Sequence, residues 1–280
     1  MRVIASGVTK RLLLRMRCSI GVTLVAIVMT ILGIGIITGG TLVSSDNSTS
    51  TTATQTEDVV PDVPVRALAN RKVLIIATPA ANRETIAQIQ KQVTSAAGRL
   101  TGFITLTPKF AATENDAELS TLVTNALPKG VELPTDRDQN SGRLTGSILG
   151  SLSVQADTPT VDAARSTFMD RLAANGFVTP DSFLGEADCA ILVSGGANNS
   201  SAPNSEDGVR GITIAKIAEG LAQRKVATVV TGATGAEHVN GPLTAAKTFT
   251  TKKLAVVGKA DKKSGQANIV LRLVELTKTK

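Results

Sequence analysis

At 280 residues, with 42% hydrophobic and 19% charged side chains, the chain has enough apolar material to build a core, which excludes it from the disordered class. Its formal charge of +7 is not a nucleic-acid signature, because Arg2, Lys10, Arg11, Arg15 and Arg17 supply +5 before the first acidic residue. The chain after Val43 holds 25 basic and 23 acidic residues, without basic and aromatic side chains interleaved, so no nucleic-acid partner is expected.

Between Arg17 and Asp46 lie 28 uncharged residues, almost wholly apolar from 20 to 37. At about 1.5 Å per residue a helix needs roughly 20 residues to cross a hydrocarbon core, so this run predicts one transmembrane helix over 18–43. The positive charges before it place residues 1–17 in the cytoplasm and the remainder outside. The competing reading is a cleaved signal peptide, for which Val43-Ser44-Ser45 is a poor site. Gly35 and Gly39, four residues apart, would let two such helices pack closely, although the motif is common by chance, and a homodimer is expected through the outer domain. Thr23, Thr30 and Thr38 fall near one face, but none is ionisable, as ion paths through membranes usually require.

Residues 44–56 contain nine Ser or Thr in thirteen positions, without apolar periodicity. Such a segment buries too little to offset its ordering entropy, which predicts a disordered tether over 44–65. A folded extracytoplasmic domain is expected over 66–280.

Within it, strands are predicted at 72–77, 103–107, 189–193, 226–230 and 254–257. Helices are predicted at 84–97, 116–127, 143–154, 160–174, 212–224 and 265–276, with a polar insertion at 129–142. Short buried strands alternating with helices imply an α/β domain, a mostly parallel sheet with helices on both faces.

Ligands of such sheets bind beyond the carboxyl ends of the strands. The candidate partner or ligand loops are therefore Ser194, Gly195, Gly196, Asn198 and Asn199 after one strand, and Gly232 and Gly235 after the next. Neither loop is a dinucleotide fingerprint or a Walker loop. The single histidine, His238, lies in a glycine-flanked loop and reads as an isolated, solvated side chain, so no catalytic triad and no enzymatic activity are predicted. Cys18 and Cys189 fall on opposite sides of the predicted span, and with four methionines they form no evident metal cage. No cofactor or metal is expected. Residues 252–280 carry eight Lys or Arg against Asp261 and Glu275, a charge suited to membrane lipid or another anionic surface.

Asn70-Arg-Lys-Val-Leu-Ile-Ile-Ala-Thr-Pro-Ala-Ala, Gly98-Arg-Leu-Thr-Gly-Phe-Ile-Thr-Leu-Thr, Ala126-Leu-Pro and Ala190-Ile-Leu-Val-Ser-Gly-Gly together resemble the actinobacterial MctB family. The resemblance implies one of two functions. One is that of the corynebacterial cell-separation protein SteB. It would be a single-pass scaffold in the cell membrane, coupling a cytoplasmic SteA-like partner to a peptidoglycan hydrolase or its regulator. The other is a copper transport or homeostasis component, or a channel, of the outer envelope. Membrane barrels need strands of about ten residues with alternating faces, whereas the strands here are short continuous apolar runs. The sequence therefore favours the scaffold.

Overall fold

A computed structural model describes residues 59–128, 131–133, 138–195 and 205–279. The predicted cytoplasmic segment, the transmembrane helix with Gly35 and Gly39, and the Ser/Thr-rich stretch lie outside the described residues. Among the described residues no helix is long and apolar enough to cross a membrane.

Five strands form one sheet: β1 (Lys72–Ala77), β2 (Arg99–Thr105), β3 (Cys189–Ser194), β4 (Ala227–Gly232) and β5 (Leu254–Val257). Their spatial order is β2-β1-β3-β4-β5, and every neighbouring pair is parallel. The helices are α1 (Arg83–Ser95), α2 (Asp116–Asn125), α3 (Ser141–Ser153), α4 (Pro159–Ala174), α5 (Val209–Gln223), α6 (Pro242–Lys247) and α7 (Lys263–Lys278). The sheet is open, and helices cover both of its faces.

Strand alternation divides the core in two. Leu74, Ile76, Ala190, Leu192 and Val230 face the side packed by α2, α3, α4, α5 and α6. Val73, Ile75, Ala77, Ile191 and Val229 face the side packed by α1 and α7, where Ile89, Val93, Ile269 and Leu273 meet them. Because β1 and β3 are buried on both faces, their sequences read as unbroken apolar runs.

Most element bounds shift by one or two residues from expectation, and three elements, β2, α5 and α6, depart further. β2 begins at Arg99, four residues before the predicted start, because it is the sheet's outer strand and its first residues are only partly covered. Its register also shifts between Val73 and Leu74 of β1. Its outer edge is paired by the segment after α4, through antiparallel bridges Phe103 to Phe183 and Leu106 to Val178. Helix α6 is absent from the sequence reading, since six residues starting at Pro242 are too short to show a period. Helix α5 begins at Val209 instead of 212, its first turn exposing Val209 and Ile212.

Helix α3 is buried along almost its entire length, which its composition makes possible. Gly142, Gly146 and Gly150 line one face at four-residue spacing. A Cβ at Gly142 would stand 2.0 Å from the carbonyl oxygen of Thr213, and one at Gly146 would stand 2.1 Å from that of Ile217. Bare backbone thus lets α3 lie directly on α5.

The far end of α3 is capped from α4. Arg165, buried at 2% exposure, donates to the Leu152 carbonyl from Nε and Nη2 (3.2 and 3.1 Å) and to the Gln155 carbonyl from Nη2 (2.6 Å). Its Nη1 bonds Asp157 and Asp162 at 2.6 and 2.7 Å. One guanidinium therefore satisfies the Leu152 carbonyl that the end of α3 leaves open, together with the Gln155 carbonyl just beyond it.

Candidate functional site

In a doubly wound sheet the crevice lies where the connectivity reverses. Here β1 connects outward to β2 on one side, and the chain then returns to place β3 on the other, so the reversal falls between β1 and β3. The loops that border it are Thr78-Pro79-Ala80-Ala81 after β1 and Ser194-Gly195 after β3.

Of the predicted loop residues, Ser194 and Gly232 are brought side by side as register partners at the ends of β3 and β4. Gly195 faces the β1 loop so closely that a Cβ would stand 1.6 Å from the Ala80 carbonyl oxygen. Its absent side chain serves the joining of two loops. A Cβ at Gly232 would meet Ala236 at 2.6 Å and the Ser194 carbonyl at 2.8 Å, so this glycine is also a packing residue. Gly235 has φ +88° with open space around it and forms the turn after β4. Gly196, Asn198 and Asn199 lie outside the described residues.

Polar groups gather at this edge. Ser194 Oγ donates to the Glu206 carboxylate, and both residues are buried. Thr78 Oγ1 at the end of β1 and Thr231 Oγ1 near the end of β4 are buried without a hydrogen-bond partner among the described residues. His238 is not the isolated loop histidine that its neighbours in sequence suggest: its Nδ1 lies 2.7 Å from Asp207 Oδ1. The same nitrogen is 3.2 Å from the Val239 carbonyl, and Asp207 Oδ1 makes no well-aligned hydrogen bond among the described residues, so the contact is close but not well aligned. The Gly208 N–H donates to the Asn240 carbonyl at 3.1 Å beside it. The segments before α5 and α6 are thereby tied together. Neither Asp207 nor Glu206 was singled out from the sequence, where nothing marks them as neighbours of strand-end residues.

Beside the reversal, a cavity of about 610 Å³ opens between α1, the ends of β1 and β2, and the segment after α4. Ala77, Ile86 and Phe103 supply apolar wall, while Arg83, Thr179 and Asp181 supply polar groups. Arg83 is the first residue of α1, whose start is fixed by the Asn82 side chain accepting from the Glu84 N–H at 2.7 Å. An exposed cation at a helix N-terminus, over a partly apolar cavity, suits an anionic or polar partner.

Metal chemistry has little to build on in this part of the chain. Among the described residues there is no group of three or more His, Cys, Asp or Glu placed to hold an ion. Cys189 is a free thiol at the start of β3, and burial pushes its pKa upward, with the adjacent Asp188 acting in the same direction. It is a core side chain and a poor thiolate ligand.

The fold is that of a doubly wound, all-parallel α/β domain with a cavity beside the ends of β1 and β2. The family profile described as "Copper transport outer membrane protein, MctB" matches residues 47–280, and the chain belongs to this family. Proteins named "Copper transporter MctB" from Mycobacterium tuberculosis and Mycobacterium bovis are each 31% identical over 221 residues, covering 75% of this chain and 68% of theirs. The protein of that name from Mycobacterium leprae is 31% identical over 178 residues, covering 60% of this chain and 54% of its own.

Proposed function

We propose that this protein is a component of copper homeostasis in the cell envelope, acting through the carboxyl edge of its α/β domain. The observation that carries the reading is the family match across residues 47–280, supported by similarity to proteins named as copper transporters. This reverses the preference drawn from the sequence, which put the cell-separation scaffold first. The domain's part in it is contact: the β1/β2 cavity and the strand-end loops engage another envelope component, and the predicted single-pass helix holds the domain at the membrane.

A second reading keeps the SteB-like scaffold, in which the domain regulates peptidoglycan cleavage with a cytoplasmic partner. It is favoured by one surface feature, the exposed Val209, Ile212 and Val239 beside the strand-end loops, with Val239 at 79% exposure. Apolar side chains grouped in this way suit a protein partner.

A deletion strain tests both. Cell-associated copper is measured by mass spectrometry after growth in raised copper, and daughter-cell separation is scored by microscopy. The copper reading predicts elevated cellular copper with normal separation, restored by the full-length gene. Unseparated cells with unchanged copper would reverse the order of the two readings.

A further inference from the structure

A second cavity, distinct from the one beside β1 and β2, lies in the groove between α1 and α7 and is bounded on one side by Asp261, which contacts the loop after β4. It has a volume of about 550 Å³, and Val60, Pro61 and Val63 of the segment entering the domain form part of its wall. Its polar lining is Lys91, Gln88, Gln92 and Ser95 from α1, with Lys263 and Gln266 from α7 and Asp261 just before it.

The charges do not cancel. Asp261 accepts from the Thr234 N–H at 2.6 Å and from Thr234 Oγ1 at 2.9 Å, and it lies 3.8 Å from Lys262 Nζ. These partners hold its carboxylate ionised, so it offsets one of the two lysines of the lining and leaves the other unbalanced. Lys91 and Lys263 are exposed and make no ion pair or hydrogen bond among the described residues. Helix α7 adds to the same sign of potential: its cap residue is Lys262, no side chain caps it, and its first turn contains no acidic residue. The N-terminal end of a sixteen-residue helix is itself electropositive, and here nothing on the helix offsets it. By contrast α1 begins with the Asn82 cap and Glu84.

The amides are fixed in place. Gln266 Nε2 donates to Gln88 Oε1 at 2.7 Å and to the Ala260 carbonyl at 3.1 Å, and Gln88 Nε2 donates to Glu84 at 3.2 Å. Gln266 has both amide hydrogens engaged and keeps its Oε1 to accept, whereas Gln88, Gln92 and Ser95 retain capacity both to donate and to accept, and the mixture complements hydroxyls.

We propose that this groove binds a small anionic sugar, its acid group held by Lys91, Lys263 and the first turn of α7, and its hydroxyls by the glutamines and Ser95. The site is independent of the copper reading. The volume falls within the range of small-molecule sites and accommodates one or two sugar rings.

The test is isothermal titration of the full-length chain in detergent with glucose 6-phosphate, and separately with glucose and with inorganic phosphate. Lys91→Ala and Lys263→Ala are measured in parallel, with circular dichroism confirming that both fold. The expected result is saturable binding of glucose 6-phosphate, weakened about tenfold or more in each variant. Glucose and phosphate should each bind at least about tenfold more weakly than the sugar phosphate. No binding at millimolar concentration, binding unchanged in both variants, or phosphate binding as tightly as the sugar phosphate would each overturn the proposal.

Discussion

Arg165 shows how one side chain can decide a helix junction. Its two aspartate partners are more than half exposed, so they would be rehydrated if the guanidinium were removed. The Leu152 carbonyl would not recover so easily, because the interaction is buried. Loss of these bonds and the void left behind predict that Arg165→Ala destabilises the domain by about 2–3 kcal/mol. Arg165→Lys should recover only part of this, since one ammonium cannot span both carbonyls and both carboxylates. Urea unfolding followed by circular dichroism measures the difference.

Asp138 sets an acid limit at the same scale. Burial opposes its ionisation, yet the hydrogen bonds from Lys216 Nζ and the Asn140 N–H, with the charges of Lys216 and Arg143, leave its pKa below the ordinary carboxylate value. A carboxyl depressed in the folded state contributes stability that is present above its unfolded pKa and is lost as pH falls through the folded one. The contribution should therefore be complete above about pH 4 and fade below it. Asp138 is 38% exposed, so the effect is under about 1 kcal/mol. Urea midpoints at pH 6 and pH 3 should fall less between the two in Asp138→Asn than in the parent.

At the scale of elements, the contact that most depends on composition is α3 on α5. Gly146→Ala would place a methyl 2.1 Å from the Ile217 carbonyl oxygen, and backbone cannot turn aside as a side chain can. The helices must separate, so a loss of about 3 kcal/mol is expected by chemical denaturation. Ser151→Ala, on the one α3 residue that is not buried, should change stability by no more than about 0.5 kcal/mol. Both changes raise helix propensity, so a loss confined to Gly146→Ala isolates close approach, and a Gly146→Ala variant as stable as the parent would contradict it.

For the whole molecule, the sheet was legible where a strand is an unbroken apolar run. β1 and β5 begin and end as their apolar runs do, and alternation of strands with helices gave the parallel, doubly covered architecture. β2 was shortened because Arg99, Leu100, Thr101 and Gly102 lack a β-branched run and lie at an edge whose cover comes from residues 177–183. The strand-end loops after β3 and β4 were legible as places. The loop after β1 was not, because the order β2-β1-β3-β4-β5 is a property of pairing and leaves no local mark on Thr78-Pro79-Ala80-Ala81. The Asp207 and His238 contact was hidden for a related reason: residues distant in sequence meet only after α5 and β4 have packed. The second cavity shows the same limit, since Lys91 and Lys263 read as ordinary surface lysines until α1 and α7 lie side by side.

Under the proposed function, the carboxyl-edge cavity serves copper homeostasis. Arg83→Glu tests it well, because the side chain is exposed on the cavity wall and a carboxylate at a helix start does not threaten folding. Cell-associated copper is measured in the deletion strain carrying either the parent gene or Arg83→Glu, at matched protein levels. The parent gene should restore normal copper, and Arg83→Glu should leave it raised. Full restoration by Arg83→Glu, or a deletion strain whose copper never rises, would contradict it.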